Sequence, residues 1–193
     1  MLRIVNYPHP ALRHKSKPLR RVDAELGKIV REMFALMYQQ KGIGLAANQV
    51  DLPYRLFVLN LEGDPSKGQE HAFINPVISK RHGTAEAEEG CLSFPEIFAP
   101  VRRSEKVTLS AYNLAGQELT YELTGLFARA AQHEYDHLDG VLFIDRLSPA
   151  ALLSIKEKLR DLELQFQGDR RRGVIPEDPQ IFARLNELEA LRT

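Results

Sequence analysis

The stretch Gln132-His133-Glu134-Tyr135-Asp136-His137 sets the tightest limit on how this chain can fold. Two histidines four residues apart can serve one metal ion if the backbone between them is helical. They then lie roughly 40° apart in projection and about 6 Å apart along the axis. Glu134, beside the first histidine, is placed next to whatever else the metal holds. The flanks agree with a helix. Thr124 stands where a cap is wanted, Leu126 to Leu138 contains no proline or glycine, and Gly140 follows at the end. A catalytic ion of this kind usually has three protein ligands and one open position. No histidine follows His137, and beyond Asp139 and Asp145 the next carboxylate is Glu157, so the three-histidine protease pattern is excluded. The third ligand must come from elsewhere, and the obvious candidate lies 42 residues upstream, where the only cysteine, Cys91, follows Gly90. A sole cysteine forms no intramolecular disulfide, and beside such a histidine pair it reads as a thiolate ligand.

The rest of the composition narrows the class. At 193 residues, with 44% hydrophobic and 27% charged side chains, the chain suits one globular domain with a full core. A formal net charge of zero gives no support to nucleic acid or a membrane surface as main partner. No apolar run approaches the roughly 20 residues of a membrane span. Met1 to Pro8 lacks a secretory pattern, so a cytoplasmic location is expected.

Along the chain, prolines 8, 10 and 18 make residues 1 to 22 loop-like. Asp23 then caps an amphipathic helix with Leu26, Ile29, Val30, Met33, Phe34 and Met37 on one face, ending near Lys41-Gly42. The run Gly42-Ile43-Gly44-Leu45-Ala46-Ala47-Asn48-Gln49 is small and uncharged. It lacks the Gly-Lys-Ser/Thr ending of a phosphate loop and is suited to close backbone approach. Strands are expected over 55–61 and 73–79, the second interrupted by Pro76 and therefore placed at an edge. Residues 64–69 read as a polar loop between them, and Glu86 to Glu89 as an acidic approach to Cys91. Alternation at Val107, Leu109, Ala111 and at Leu119, Tyr121, Leu123, with a turn at Asn113 to Gly116, predicts a hairpin. Ser148-Pro149 starts a further helix whose stripe is Leu152, Ile155, Leu159, Leu162 and Phe166. After Gly168, Arg170 to Arg172 and Pro176 punctuate, and a last helix is expected over 179–191. The total is α+β, with helices segregated from mostly antiparallel strands.

Three separated motifs stand together: Gly42 to Gln49, Glu89-Gly90-Cys91-Leu92-Ser93, and Gln132 to His137. In this order and spacing the chain closely resembles the bacterial and organellar peptide deformylases over about residues 5 to 147. The resemblance implies an α+β fold, with mixed and antiparallel sheets around a central metal-binding helix and a C-terminal helical extension. Residues 1–147 would form the catalytic domain and 148–193 its extension. It implies metal-dependent hydrolysis of the formyl group from formyl-methionyl nascent polypeptides, releasing formate. Cys91, His133 and His137 would hold one divalent ion. Iron(II) is the physiological expectation, with zinc, nickel or cobalt replacing it in purified protein. Such an ion lowers the pKa of water towards neutrality, and Glu134 would move the water's proton. Gln49 and the backbone N–H of Leu92 would stabilise the oxyanion.

By the same likeness the peptide adds as a strand along Ile43, Gly44 and Gly90. The methionine side chain enters a pocket at Leu126 and Arg129, where the arginine offers its methylene stem if its head reaches solvent. An acidic residue like Glu89 pairs in the family with an arginine like Arg103; a surface pair would contribute under about 1 kcal/mol. Two departures stand out. Phe98 occupies a position where some members carry arginine, and Lys41 one where an acidic residue is frequent. His9, His14, His71 and His82 lie in loop-like contexts and take no role. The tail beyond Gly168 matches no family motif and is expected to be peripheral. It would contact ribosomal RNA through Arg170 to Arg172, or a second copy through Leu185, Leu188 and Leu191, leaving monomer and homodimer open. Two readings from other classes compete: a zinc endopeptidase and a non-catalytic ribosome-associated module. Cys91 with Gln49 weighs against the first, and the intact set of ligands, base and donor against the second.

Overall fold

The structure, a computed structural model, describes residues 2–193. The seven strands are β1 (Gly44–Ala46), β2 (Leu56–Leu59), β3 (His71–His82), β4 (Ala85–Cys91), β5 (Phe94–Arg103), β6 (Lys106–Tyr112) and β7 (Glu118–Thr124). They form a five-stranded antiparallel sheet in the order β1-β2-β3-β6-β7 and a separate β4–β5 ribbon. Four helices accompany them: α1 (Ala24–Gln39), α2 (Gly125–Leu138), α3 (Pro149–Arg171) and α4 (Asp178–Arg192).

Helix α2 lies where sheet and ribbon meet. Ala128, Ala131 and Leu138 pack into a core with Phe57, Leu59, Phe73, Leu109 and Leu123 of the sheet. On the opposite side, His133 and Asp136 reach Glu89 of β4 and Arg103 of β5. Thr124 stands at the N-cap, yet its side chain makes no capping bond. Gly125 instead turns into the helix at φ 57, a conformation that favours glycine. At the other end Gly140 has φ 71, and a Cβ there would fall 2.5 Å from the Arg13 carbonyl oxygen.

Helix α1 begins as its sequence indicates. Asp23 accepts the Leu26 N–H at 2.9 Å. Leu26, Val30, Met33, Phe34 and Met37 are buried against Leu45, Leu56, Val58 and Ile74. The β6–β7 hairpin also appears, with Val107 opposite Leu123 and Ala111 opposite Leu119.

Several expectations change. The strand containing Pro76 is not an edge: β3 pairs with β2 on one side and β6 on the other. A register shift between Ile74 and Val77 absorbs the missing N–H, and Asn75 in the bulge, at φ 52, bonds Leu19 N and O at 2.8 Å each. This longer strand carries His71 and His82 at its ends, and His71 stacks on Phe73 with centroids 5.7 Å apart. The acidic approach to Cys91 is β4 itself, with Glu86 and Glu88 on the solvent face and Glu89 turned inward. Helix α3 is capped by Ser148 and runs through Gly168 to Arg171, burying Ala151, Ile155 and Leu159 while Leu152 is exposed.

The tail is not peripheral. Ile181 and Leu185 of α4 join the core of Phe94, Ile97 and Phe143. Arg192 bonds Asp23 at 2.6 Å and Glu25 at 2.8 Å, and Glu189 meets His14 at 2.8 Å and Lys17 at 2.5 Å. Leu185 is 1% exposed and unavailable to a partner, while Leu191 faces solvent. Arg170 is held by Asp178, and Arg172 by Asp169 at 2.5 Å. No helix among the described residues is long and apolar enough to cross a membrane.

Candidate metal centre

The one group of metal-binding side chains among the described residues is Cys91, His133 and His137, whose ligand atoms lie within 4.8 Å of one another. The helix supplies both imidazoles, with ring centroids 5.1 Å apart and planes at 75°. Cys91 ends β4 where the register shifts after Gly90, an irregularity that re-aims a side chain. Its Sγ is 3.4 Å from His137 Nε2.

The surroundings orient this trio. Glu89 accepts Arg103 Nε and Nη2 at 2.7 and 2.9 Å, Arg129 Nη1 at 2.6 Å, and meets His133 Nδ1 at 3.0 Å. His133 therefore keeps Nε2 for a ligand role, the carboxylate–histidine arrangement common behind metal ions. Arg103 also donates to Asp136 at 2.7 Å, and Arg146 donates to both Asp136 oxygens at 2.5 Å. The Glu89–Arg103 pair is thus no surface pair, since its side chains are 5% and 2% exposed. Arg129 likewise departs from expectation. Its side chain is only 12% exposed, and the head donates to Val101 O at 2.9 Å and Ala85 O at 2.7 Å, tying the ribbon to α2.

Electrostatics separate the groups. Burial favours the neutral form of Glu89, yet His133 and Arg103 outweigh it and hold the carboxyl down at about 2. Burial likewise disfavours a charged His133, but its bonds to Cys91 and Glu89 raise it to about 10, so a proton there competes with a metal ion. Burial, then the charges of His133 and Arg103, drive His137 well below its ordinary value, towards the neutral form that coordinates. Glu134 is pushed up to about 7, chiefly by burial. Its Oε2 is sealed from solvent without a hydrogen-bond partner, and so is His137 Nδ1. A carboxyl near neutrality can both take and return a proton.

The three motifs line one cleft of about 490 Å³. Its walls include Ile43, Gly44, Gln49, Gly90, Cys91, Leu92, Leu126, Arg129, His133 and Glu134; His137 joins them through the ligand trio. A Cβ on Gly44 would lie 2.5 Å from Glu134 Oε1 and 2.7 Å from Leu59 Cδ2, so only glycine lets β1 approach the glutamate. Gln49 accepts the Ala46 N–H through Oε1 at 2.8 Å. That fixes the amide so that Nε2 faces Cys91 Sγ and Ser93 Oγ, both at 3.4 Å. Phe98 lies over Gly90, where a Cβ would meet its ring at 2.5 Å.

Sequence reasoning gave no part to Asp136, Ser93 or Asn48. Asp136 sits inside the histidine motif, and its charge on a helix face otherwise turned inward was the available signal. Asn48 is fully buried and donates to His14 O at 2.7 Å while accepting from Ser16 Oγ at 3.0 Å. It braces the Gln49 loop against the N-terminal segment.

The polypeptide deformylase family model matches residues 1–152. A peptide deformylase of Rhodopirellula baltica is 41% identical over 192 residues, covering 100% of this chain and 96% of that protein. One from Neisseria gonorrhoeae is 44% identical over 160 residues, covering 83% and 95%. A crystal structure of an Arabidopsis thaliana peptide deformylase in complex with an inhibitor superposes with a TM-score of 0.84 at 42% identity, over 92% of this chain and 97% of that one. The chain belongs to the peptide deformylase family, metal-dependent hydrolases that remove the N-terminal formyl group of nascent polypeptides.

Proposed function

We propose that Cys91, His133 and His137 hold the divalent ion of this deformylase, that Glu134 is its proton carrier, and that Gln49 and Leu92 stabilise the oxyanion. The carrying observation is the convergence of three ligand atoms within 4.8 Å beside a buried carboxyl with an unpartnered oxygen. A thiolate and two neutral imidazoles suit a first-row divalent ion, and Glu89 behind His133 supplies the orienting partner. When bound, the ion supplies Lewis acidity and makes water acidic enough to ionise near neutral pH. The chain's own part is to position and to move protons. The formyl carbonyl would lie across the cleft, its oxygen facing Gln49 Nε2 and the Leu92 N–H as negative charge develops. Glu134 takes a proton from the attacking water and passes it to the departing amine. The peptide would pair as a strand with Ile43, Gly44 and Gly90, its methionine side chain against Leu126 and the Arg129 stem. Iron(II) as the resident ion is part of this reading, since thiolate–imidazole sites accept it along with zinc, nickel and cobalt.

Residues 148–193 are read as an extension of the same domain as 1–147, a view supported by the core shared between α4 and β5. A cytoplasmic site of action beside the ribosome, as monomer or homodimer, completes the reading. Of the arginine cluster, Arg171 is the one without an ion pair among the described residues, so any RNA contact there would be weak. The test is Gln49→Leu with the metal restored. Turnover of formyl-Met-Ala-Ser should fall about 10²–10³-fold, and a fall under about threefold would remove Gln49 from the oxyanion role.

A further inference from the structure

A second cavity, of about 160 Å³, lies away from the metal. It is walled by the N-terminal segment from Arg3 to His9, by Leu162 and Phe166 of α3, and by Val174 and Ile175 of the α3–α4 link. That volume equals about five waters, which suits a small molecule rather than a peptide.

His9 gives the cavity its chemistry. The residue is only 4% exposed, and its Nδ1 accepts the Ala11 N–H at 3.2 Å. Neutral imidazole with Nδ1 accepting carries its proton on Nε2. That N–H has no partner among the described residues, and it is not among the polar atoms sealed from solvent. That leaves the donor open to an acceptor brought in by a ligand. Burial first, then Arg184, Arg3 and Arg170, hold His9 down at about 4, so the ring is neutral at pH 7. Arg3, on the cavity wall, forms no ion pair among the described residues, whereas the acidic groups nearby are engaged: Asp169 by Arg172, Asp178 by Arg170 and Glu163 by the Tyr7 hydroxyl. The wall also holds the apolar Ile4, Val5, Leu162, Phe166 and Val174 beside the polar Asn6 and Gln165.

We propose that this cavity binds a small aliphatic carboxylate, its oxygens on His9 Nε2–H and the Arg3 guanidinium and its alkyl body between Val5, Leu162 and Phe166. A cation would find no free carboxylate here, and a neutral alcohol would leave Arg3 unused. The cavity wall also touches the catalytic loops: Val5 N–H donates to Gln49 O and Tyr7 N–H to Ser93 O, each at 2.9 Å. Occupancy should therefore be visible at those two amides.

The experiment is NMR titration of the metal-loaded full chain with 3-methylbutanoate, following the ring signals of His9 and His133 and the amides of Val5 and Tyr7. Saturable shifts at His9, Val5 and Tyr7 with a Kd on the order of 1 mM are expected. The uncharged 3-methylbutanamide should bind roughly tenfold more weakly, and Arg3→Met should weaken the carboxylate by a similar factor. No saturable His9 shift up to roughly 50 mM overturns the proposal. So do shifts confined to His133, which mean binding at the metal, equal affinity for the amide, or affinity unchanged in Arg3→Met.

Discussion

Helices α2 and α4 are both held by charged side chains, but on opposite terms. In α2 the groups Gln132, His133, Glu134, Asp136 and His137 are all under 9% exposed, and their partners come from β4, β5 and the segments that flank the cleft. In α4 two apolar side chains, Ile181 and Leu185, enter the core, while its ion pairs sit on partly exposed partners such as Asp23 and Lys17. Buried charges are costly unless each is matched, and matched pairs contribute little net stability. The polar interior of α2 is therefore poorly explained by stability and well explained by the need to fix two imidazoles and one carboxyl. Helix α4 differs: Glu189 and Arg192 are also buried, but their partners Lys17 and Glu25 are exposed, and the apolar anchoring of Ile181 and Leu185 adds stability and leaves the chemistry alone.

Arg103 offers the harshest way to probe this contrast. Arg103→Leu leaves Glu89 and Asp136 buried without their shared cation, and should cost about 3–5 kcal/mol in chemical denaturation. Metal affinity should fall with it, because Glu89 no longer holds His133. If stability falls but metal affinity is unchanged, the network serves packing alone.

Leu185→Ala should cost nearly as much, about 2–5 kcal/mol. The difference lies in chemistry: kcat/KM of the folded, metal-loaded variant on formyl-Met-Ala-Ser should match the parent. A loss of turnover in the folded state would tie α4 to the cleft and erase the distinction between the two helices.

The smallest effect is one of pH. The Leu26 N–H first, then Arg192, hold Asp23 down at about 2, below its ordinary 3.8. A depressed carboxyl stabilises the fold above its unfolded value, and that contribution is lost as pH falls through the folded one. Thermal stability should thus drop between pH 4 and 2 more steeply in the parent than in Asp23→Asn, which keeps a capping oxygen but carries no charge. Parallel slopes would mean that the Asp23–Arg192 pair contributes nothing to holding α4.

How much of this was legible follows the same divide. The start of α1 at Asp23, the β6–β7 hairpin and the helical histidine motif depend on local periodicity and spacing, which a sequence displays directly. All residues expected at the cleft line it or share its ligand trio, because the motifs that carry them are contiguous. What was hidden depends on distant partners. β4 showed only as an acidic approach to Cys91 because Glu86 and Glu88 face solvent, while Glu89 is matched by arginines 14 and 40 residues away in sequence. Pro76 suggested an edge because the Asn75 bulge is completed by Leu19, far upstream. Leu185 looked free for a partner because the core it enters comes from β5 and the segment around Phe143. The anchoring of the Arg129 head was hidden because its acceptors, Ala85 O and Val101 O, are backbone atoms of a ribbon that periodicity did not reveal.

On the proposed function, helix α2 gives up stabilising apolar burial to place a proton carrier beside three ligands. Glu134→Ala tests it most directly, with metal content and turnover measured on the same preparation and folding checked by denaturation. The variant should keep one ion per chain, lose little or no stability because an unpartnered buried oxygen has been removed, and turn over formyl-Met-Ala-Ser about 10²–10⁴-fold more slowly. Near-parental turnover in the metal-loaded variant would contradict the account, leaving the buried glutamate without a function.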